Sequence, residues 1–350
     1  MVKAKEIEGL DCGARASLGM RLVLLARLEE MCEHREAALH SEGEDGIHDM
    51  RVASRRLRSA LRDFRTYLRG GRRLGEAHAE LKRLAGTLGE VRDEDVAAGA
   101  LEKMKADAPE EARAGLELFA ADRRARRERA HAVLAPELEA EQFEAARGRI
   151  AQAFERATEP RKKDEDGGGE QSFAEMGREV ILRSWDELRG RGADIYRPLK
   201  SKRLHKVRIA AKRLRYALEL FCACFGGLKE LAHELAELQK ALGNLHDCDE
   251  WIKECGKYLS RFDSRTEDVE SAEAKERRAA AFLLLEHFVK RRDEDYAEAL
   301  AVWRRLGHEG FGERLVGSLV EAPADEDKGG AEAAGEAEAE GDGEQACIPA

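Results

Sequence analysis

HDMRVASRRLRSALRDF (48–64) and HKVRIAAKRLRYALELF (205–221) are two spellings of one word. His48, Arg51, Arg55, Arg56, Leu57, Arg58, Leu61 and Phe64 align with His205, Arg208, Lys212, Arg213, Leu214, Arg215, Leu218 and Phe221, always 157 residues apart. The spacing is helical. At about 100° per residue, His48, Arg51, Arg55, Arg58, Arg62, Arg65 and Arg69 step by three and four and form one cationic face. Met50, Leu57, Leu61, Phe64 and Leu68 form an apolar face turned from it by roughly 120°. The second copy sets His205, Arg208, Lys212 and Arg215 against Val207, Leu214, Leu218 and Phe221.

Like charges at i,i+4 cost a helix about 0.2–0.5 kcal/mol per pair. An unbroken row of them, made twice, points to a bound anion. The competing reading is an internal ion-pair network with Asp93, Asp95, Asp247 and Asp249, which accounts for one or two arginines per copy but not for both rows. His48 and His205 each open their helix, where the positive end of the dipole already favours anions. Each could donate to an anion, cap the helix or sit in the core. Neither has a second ligand at i+3 or i+4, so no metal site is expected.

Working outward, apolar residues keep the helical period from about residue 17. LGMRLVLLARLEEM (18–31) reads as a helix and SEGEDG (41–46) as a turn. Gly70-Gly71 reads as the end of the first repeat helix and Gly226-Gly227 as the end of the second. Helices follow at 81–104, 110–134 and 141–156. In the second half, REVILRSWDELRGRG (178–192) matches the opening helix. LAELQKALGNLHDCDEW (235–251) matches the region around 81–96, with Leu88, Gly89, Val91, Asp93 and Asp95 now 154 residues from Leu242, Gly243, Leu245, Asp247 and Asp249. Helices near 266–293 and 295–320 close the second half. The expected divisions are an N-terminal extension (1–15), a first helical unit (16–158), a linker (159–172), a second helical unit (173–320) and a disordered acidic tail (321–350). No credible strand appears, so the fold class is all-α.

Composition agrees: charged residues are 38%, hydrophobic 43% and aromatic 5% of the 350 residues, the balance of long amphipathic helices. The net charge of −10 hides local excesses. His48 to Arg73 holds nine arginines and two aspartates, a local +7, and Lys200 to Tyr216 holds eight Lys/Arg and no acid, a local +8. The final thirty residues hold ten acids and one lysine. Seven cysteines lack framework or zinc spacing and read as reduced thiols in a cytoplasmic chain. Neither a signal peptide nor a membrane span is expected.

The pattern H-x-x-R-[VI]-x-x-[RK]-R-L-R, present twice, with LGEVRDEDV (88–96) and LGNLHDCDE (242–250) after it, closely resembles the CHAD family (conserved histidine α-helical domain) over about residues 16–320. The resemblance implies two antiparallel four-helix bundles related by a pseudo-two-fold, with a basic groove or pore between them. It implies binding of inorganic polyphosphate, in some members at polyphosphate granules. Carried over by position, the ligand-facing residues are His48, Arg51, Arg55, Arg56, Arg58 and Arg62 with His205, Arg208, Lys212, Arg213 and Arg215. Lys82, Arg83 and Lys202 are further candidates, although Ala236 and Glu237 stand where the second half would repeat Lys82 and Arg83. The hydrolase that often accompanies this domain is not expected, because Glu6-Ile7-Glu8 is followed by Gly9. No P-loop, G-x-S-x-G or H-E-x-x-H occurs, so no enzyme and no cofactor are expected. Single-strand readers interleave aromatics with their cations. Here Phe64 and Phe221 lie on the apolar face and only Tyr216 is near the charge, so nucleic acid is the weaker alternative. A third reading is a protein scaffold whose acidic tail occupies the basic groove.

Overall fold

In the computed structural model the described residues are 5–40, 45–160, 170–263 and 271–320, and they are helical almost throughout. The expected acidic tail, and the centre of the expected linker (161–169), lie outside them. The first half runs α1 (Ala16–Glu33), α2 (Arg35–His40), α3 (Asp45–Phe64), α4 (Arg72–Asp107), α5 (Glu110–Glu137) and α6 (Ala140–Ala157). The second runs α7 (Phe173–Gly190), a 3-10 turn (Gly192–Tyr196), α8 (Ser201–Phe221), α9 (Leu228–Asp263), α10 (Ala272–His308) and α11 (Phe311–Val320). The repeat words are α3 and α8. Both long hairpins, α4/α5 and α9/α10, follow them.

Several boundaries differ from the sequence reading: α4 opens at Arg72 rather than near 81, and α8 ends at Phe221, before Gly226-Gly227. α3 stops at Phe64, before Gly70-Gly71. Phe64 is fully buried against the rings of Phe173 and Phe221, at 6.2 and 6.4 Å, and the chain turns once that anchor is set. Arg69 therefore leaves the stripe, and its guanidinium binds Glu159 and the Pro160 carbonyl instead, whereas Arg65 stays with Arg58 beside His78. α10 runs unbroken through 293–295, where no residue resists a helix, and ends at His308, with Glu309 as its C-cap before Gly310 in the left-handed region (φ 63°). Pro136 sits in the last turn of α5 rather than ending it.

Counterpart helices meet each other. α1 packs on α7, α3 on α8 and α5 on α10, as a self-matching contact between two related halves requires. Just ahead of α1 and α7, Arg15 and Ser172 form an antiparallel bridge. One continuous core joins both halves through Leu24, Leu57, Phe64, Phe173, Leu214 and Phe221. A second, smaller core lies further along the two long hairpins, where Leu101 and Leu116 meet Cys255, Leu284 and Phe288. The closest approach of α5 and α10 is at Gly115, where a Cβ would overlap the carbonyl of Glu276. The N-terminal extension is packed on the main core through Ile7, Leu10 and Cys12. Cys12 and Cys224, read from sequence as thiols, are joined in a disulfide (Cα–Cα 5.4 Å). Cys32, Cys222, Cys248 and Cys255 are thiols.

Candidate anion-binding site

Because the apolar faces of α3 and α8 are drawn into the shared core, their cationic faces are held side by side. The order along both helices is the same. Arg51 and Arg208 lie close enough for each charge to act on the other, and so do Arg55 and Lys212. Tyr216, buried on α8, marks the middle. The guanidinium carbons of Arg55 and Arg215 lie 5.6 and 5.0 Å from its ring centroid, and Lys212 Nζ lies 5.9 Å from it. Among the described residues, Nε of Arg55, Arg58 and Arg208, Nδ1 of His205 and the Tyr216 hydroxyl are buried with no hydrogen-bond partner. Buried polar groups without partners are costly, and here they come from both repeat helices.

The electrostatics follow from that crowding. Burial first, then the charges of Arg55, Arg208, Arg51 and Arg215, push the Lys212 ammonium down to about 7. Burial also lowers Arg55, Arg58 and Arg208 from the ordinary guanidinium range, with Tyr216 and Asp247 the leading opposing influences on Arg55 and Arg208 respectively. His48 is lowered by burial and then by Arg92, and His205 by burial and then by His246. Arg92 and His246 are 154 residues apart, so they are counterparts on α4 and α9, and the His205 and His246 rings are 4.5 Å apart.

Carboxylates answer only part of this charge. Arg51 Nη2 lies 3.3 Å from Asp93, whose side chain is 72% exposed. Asp247 faces Arg208 and is itself raised by desolvation. Arg215 Nε lies 3.5 Å from Glu219. Asp95 and Asp249 turn away and pair with Arg127 of α5 and Arg292 of α10.

The remaining sequence candidates fall elsewhere. Arg56 binds Glu30 of α1 at 2.9 Å, and Arg213 binds Glu187 of α7 at 2.6 Å. Glu30 and Glu187 are themselves 157 residues apart, so each half clamps its repeat helix to its opening helix by the same pair. Arg62 donates to Ser59 and to Asp63, a buried carboxylate that Arg183 and Arg213 also face. Lys82 joins Arg58 and Arg65 around His78, extending the cationic wall along α4. Arg83 is 3.4 Å from Glu137 in a separate cavity, and Lys202 is exposed in the first turn of α8. Sequence reasoning missed Arg92, His246 and Tyr216 as site residues. The first two carry a signal, the constant 154-residue offset, and Tyr216 carries none because its counterpart is Ser59.

A duplicated all-helical chain, with cations gathered where its repeated helices meet, is the class that fold and site define. The CHAD domain family model matches residues 22–256, well over half of the chain, and the protein belongs to that family. Its structure resembles the crystal structure of the CHAD domain from the plant Ricinus communis, with a TM-score of 0.65, 20% identity, and 85% of this chain and 95% of that chain covered. It also resembles PptA from Streptomyces chartreusis, with a TM-score of 0.60, 18% identity, and 83% and 100% of the two chains covered. No curated protein matches the sequence. Among the described residues no helix is long and apolar enough to cross a membrane, and no group of three metal-ligating side chains occurs.

Proposed function

We propose that this protein binds inorganic polyphosphate, without catalysis, along the trough between α3 and α8. The observation that carries the reading is the buried, partnerless donor set of Arg55, Arg58, Arg208 and His205 beside Lys212, a wall of cations with few carboxylates to answer it. Family membership supports the choice of polyanion. Guanidinium groups present planar forks suited to phosphate oxygens, and a repeating anion without bases makes no demand for stacking. Arg51, Arg55, Arg58, Arg208, Lys212, Arg215, His48 and His205 form the wall, with Lys82 and Arg92 extending it. Arg56 and Arg213 hold the helices in place through Glu30 and Glu187 and act on the ligand through position, and Arg62 is engaged by Ser59 and Asp63 of its own helix.

Many weak phosphate contacts on one chain add through effective concentration, so affinity rises with polymer length. Counterion release makes it fall steeply with salt. The test is binding of polyphosphate of several lengths to the full chain and to an Arg51/Arg55/Arg208/Lys212 charge reversal, with Arg83→Glu as the control outside the trough. Loss in the first variant alone supports the reading. Efficient displacement of polyphosphate by RNA at matched charge overturns it in favour of nucleic acid, and release of phosphate by the pure protein overturns the non-catalytic role.

The proposed location is the cytoplasm, at polyphosphate granules. The Cys12–Cys224 bond persists in oxidising compartments, so the location requires these two sulfurs to be thiols in the cell. Alkylation during lysis decides it.

A further inference from the structure

We infer that the trough takes up protons as it takes its polyanion, and that the α8/α9 wall, Lys212 with the neighbouring pair His205 and His246, whose rings lie 4.5 Å apart, is where they go. This rests on the polyphosphate reading and adds a regulator to the same site. The two walls of the trough are counterparts that have diverged. The α3/α4 wall has Arg55 and Arg92 where the α8/α9 wall has Lys212 and His246. Guanidinium stays charged throughout the physiological range, whereas a crowded ammonium and an imidazole do not. At these two positions one wall is thus fixed and the other titrates, and His48 is a titrating group that the α3/α4 wall keeps.

The surroundings of each titrating group set the direction. Lys212 is faced by Arg51 and Arg55 from α3 and by Arg208 and Arg215 from its own helix, and its ammonium sits 5.9 Å from the Tyr216 ring that it shares with two guanidiniums. His205 is faced by His246 and Glu250 from α9 and by Arg208 and Lys212 from α8. His246 is faced by Arg208 from α8 and by Glu250, Asp249 and Lys253 from its own helix. On the other wall His48 is faced by Arg92 from α4 and by Asp49, Arg55 and Arg51 from α3. Asp247, facing Arg208, Asp93, Arg51 and Asp295, can also take a proton as negative charge arrives. For Lys212 and the three histidines, burial and neighbouring cations disfavour the proton that a polyanion would favour, and burial already raises Asp247.

Linkage converts this into a measurement. With Lys212 half-protonated near pH 7 in the empty trough, a polyanion that returns it to an ordinary ammonium takes up about one proton at pH 8. From this residue alone, affinity then falls about tenfold between pH 6 and pH 8. The histidines, whose ordinary values lie below that of lysine, add their uptake chiefly at the lower pH.

Calorimetric titration of the full chain with inorganic polyphosphate, in two buffers of different ionisation enthalpy at pH 6.5 and pH 8, counts the protons directly. The expected result is uptake of about one proton at pH 8. Lys212→Arg, which keeps the charge and cannot titrate, should abolish it. His205→Gln/His246→Gln should lower uptake at pH 6.5 more than at pH 8. Binding with identical heats in both buffers at pH 8, or uptake undiminished in Lys212→Arg, overturns the inference and leaves the polyphosphate reading standing. Absence of binding at both pH values overturns both.

Discussion

Glu30→Gln should destabilise the protein far more than the equivalent change, Glu187→Gln. Both residues clamp a repeat helix to the opening helix of its own half, but their settings differ. The Glu30 side chain is 2% exposed and is shared by Arg56 at 2.9 Å and Arg27 at 2.6 Å. Glu187 is 30% exposed and binds Arg213 in partial contact with solvent. Breaking a buried pair by removing one partner costs about 3–5 kcal/mol, because the remaining charge stays buried. An exposed pair is worth about 0–1 kcal/mol. The expected gap is therefore at least about 2 kcal/mol. Urea unfolding of the two variants beside the parent, followed by far-UV circular dichroism, measures it as a difference in midpoint. Arg56→Gln in the Glu30→Gln background should recover part of the loss by removing one of the cations left behind. Equal midpoints for the two single variants would refute the reasoning.

Lys212→Met should stabilise the unliganded protein and weaken polyphosphate binding. The folded-state value of about 7 lies below the ordinary 10.5, so the unfolded chain binds more protons between those values and stability rises with pH across that window. The substitution removes that slope and a cost of at most about 4 kcal/mol at pH 7, which thermal melts from pH 7 to 10 would detect. Gly115→Ala should cost about 1–3 kcal/mol through overlap with Glu276. Gly86→Ala, in open space on α4, should gain about 1 kcal/mol from helix propensity, and the opposite order would contradict the α5/α10 crossing. Cys12→Ser should lower stability by up to about 5 kcal/mol, the chain-entropy ceiling for a 212-residue separation, and should abolish the effect of a reductant on the melting temperature.

The repeat words carried α3 and α8 and their sidedness, since a cationic row and an apolar row at helical spacing leave one way to bury the chain. The division of labour within the row was harder to read. Arg55 and Arg56 are neighbours in sequence, yet one faces the trough and the other faces Glu30, because a step of about 100° separates them. The clue was present, since Glu30 and Glu187 share the 157-residue offset, but it lies on a helix whose charges look ordinary. Gly70-Gly71 misled because the packing of Phe64 ends α3 earlier than any breaker does. The Cys12–Cys224 pair had no local sign, being a contact between distant segments.

The meeting of each helix with its own counterpart has one more consequence. Neither half owns the trough: Arg55 comes from one and Lys212 from the other, and the floor between them is a seam. A fragment ending before α7 would keep half the cations and lack the opposite wall. On the proposed reading, ligand capture is a readout of the whole chain having come together, and damage to the seam, however far from any charge, would silence it.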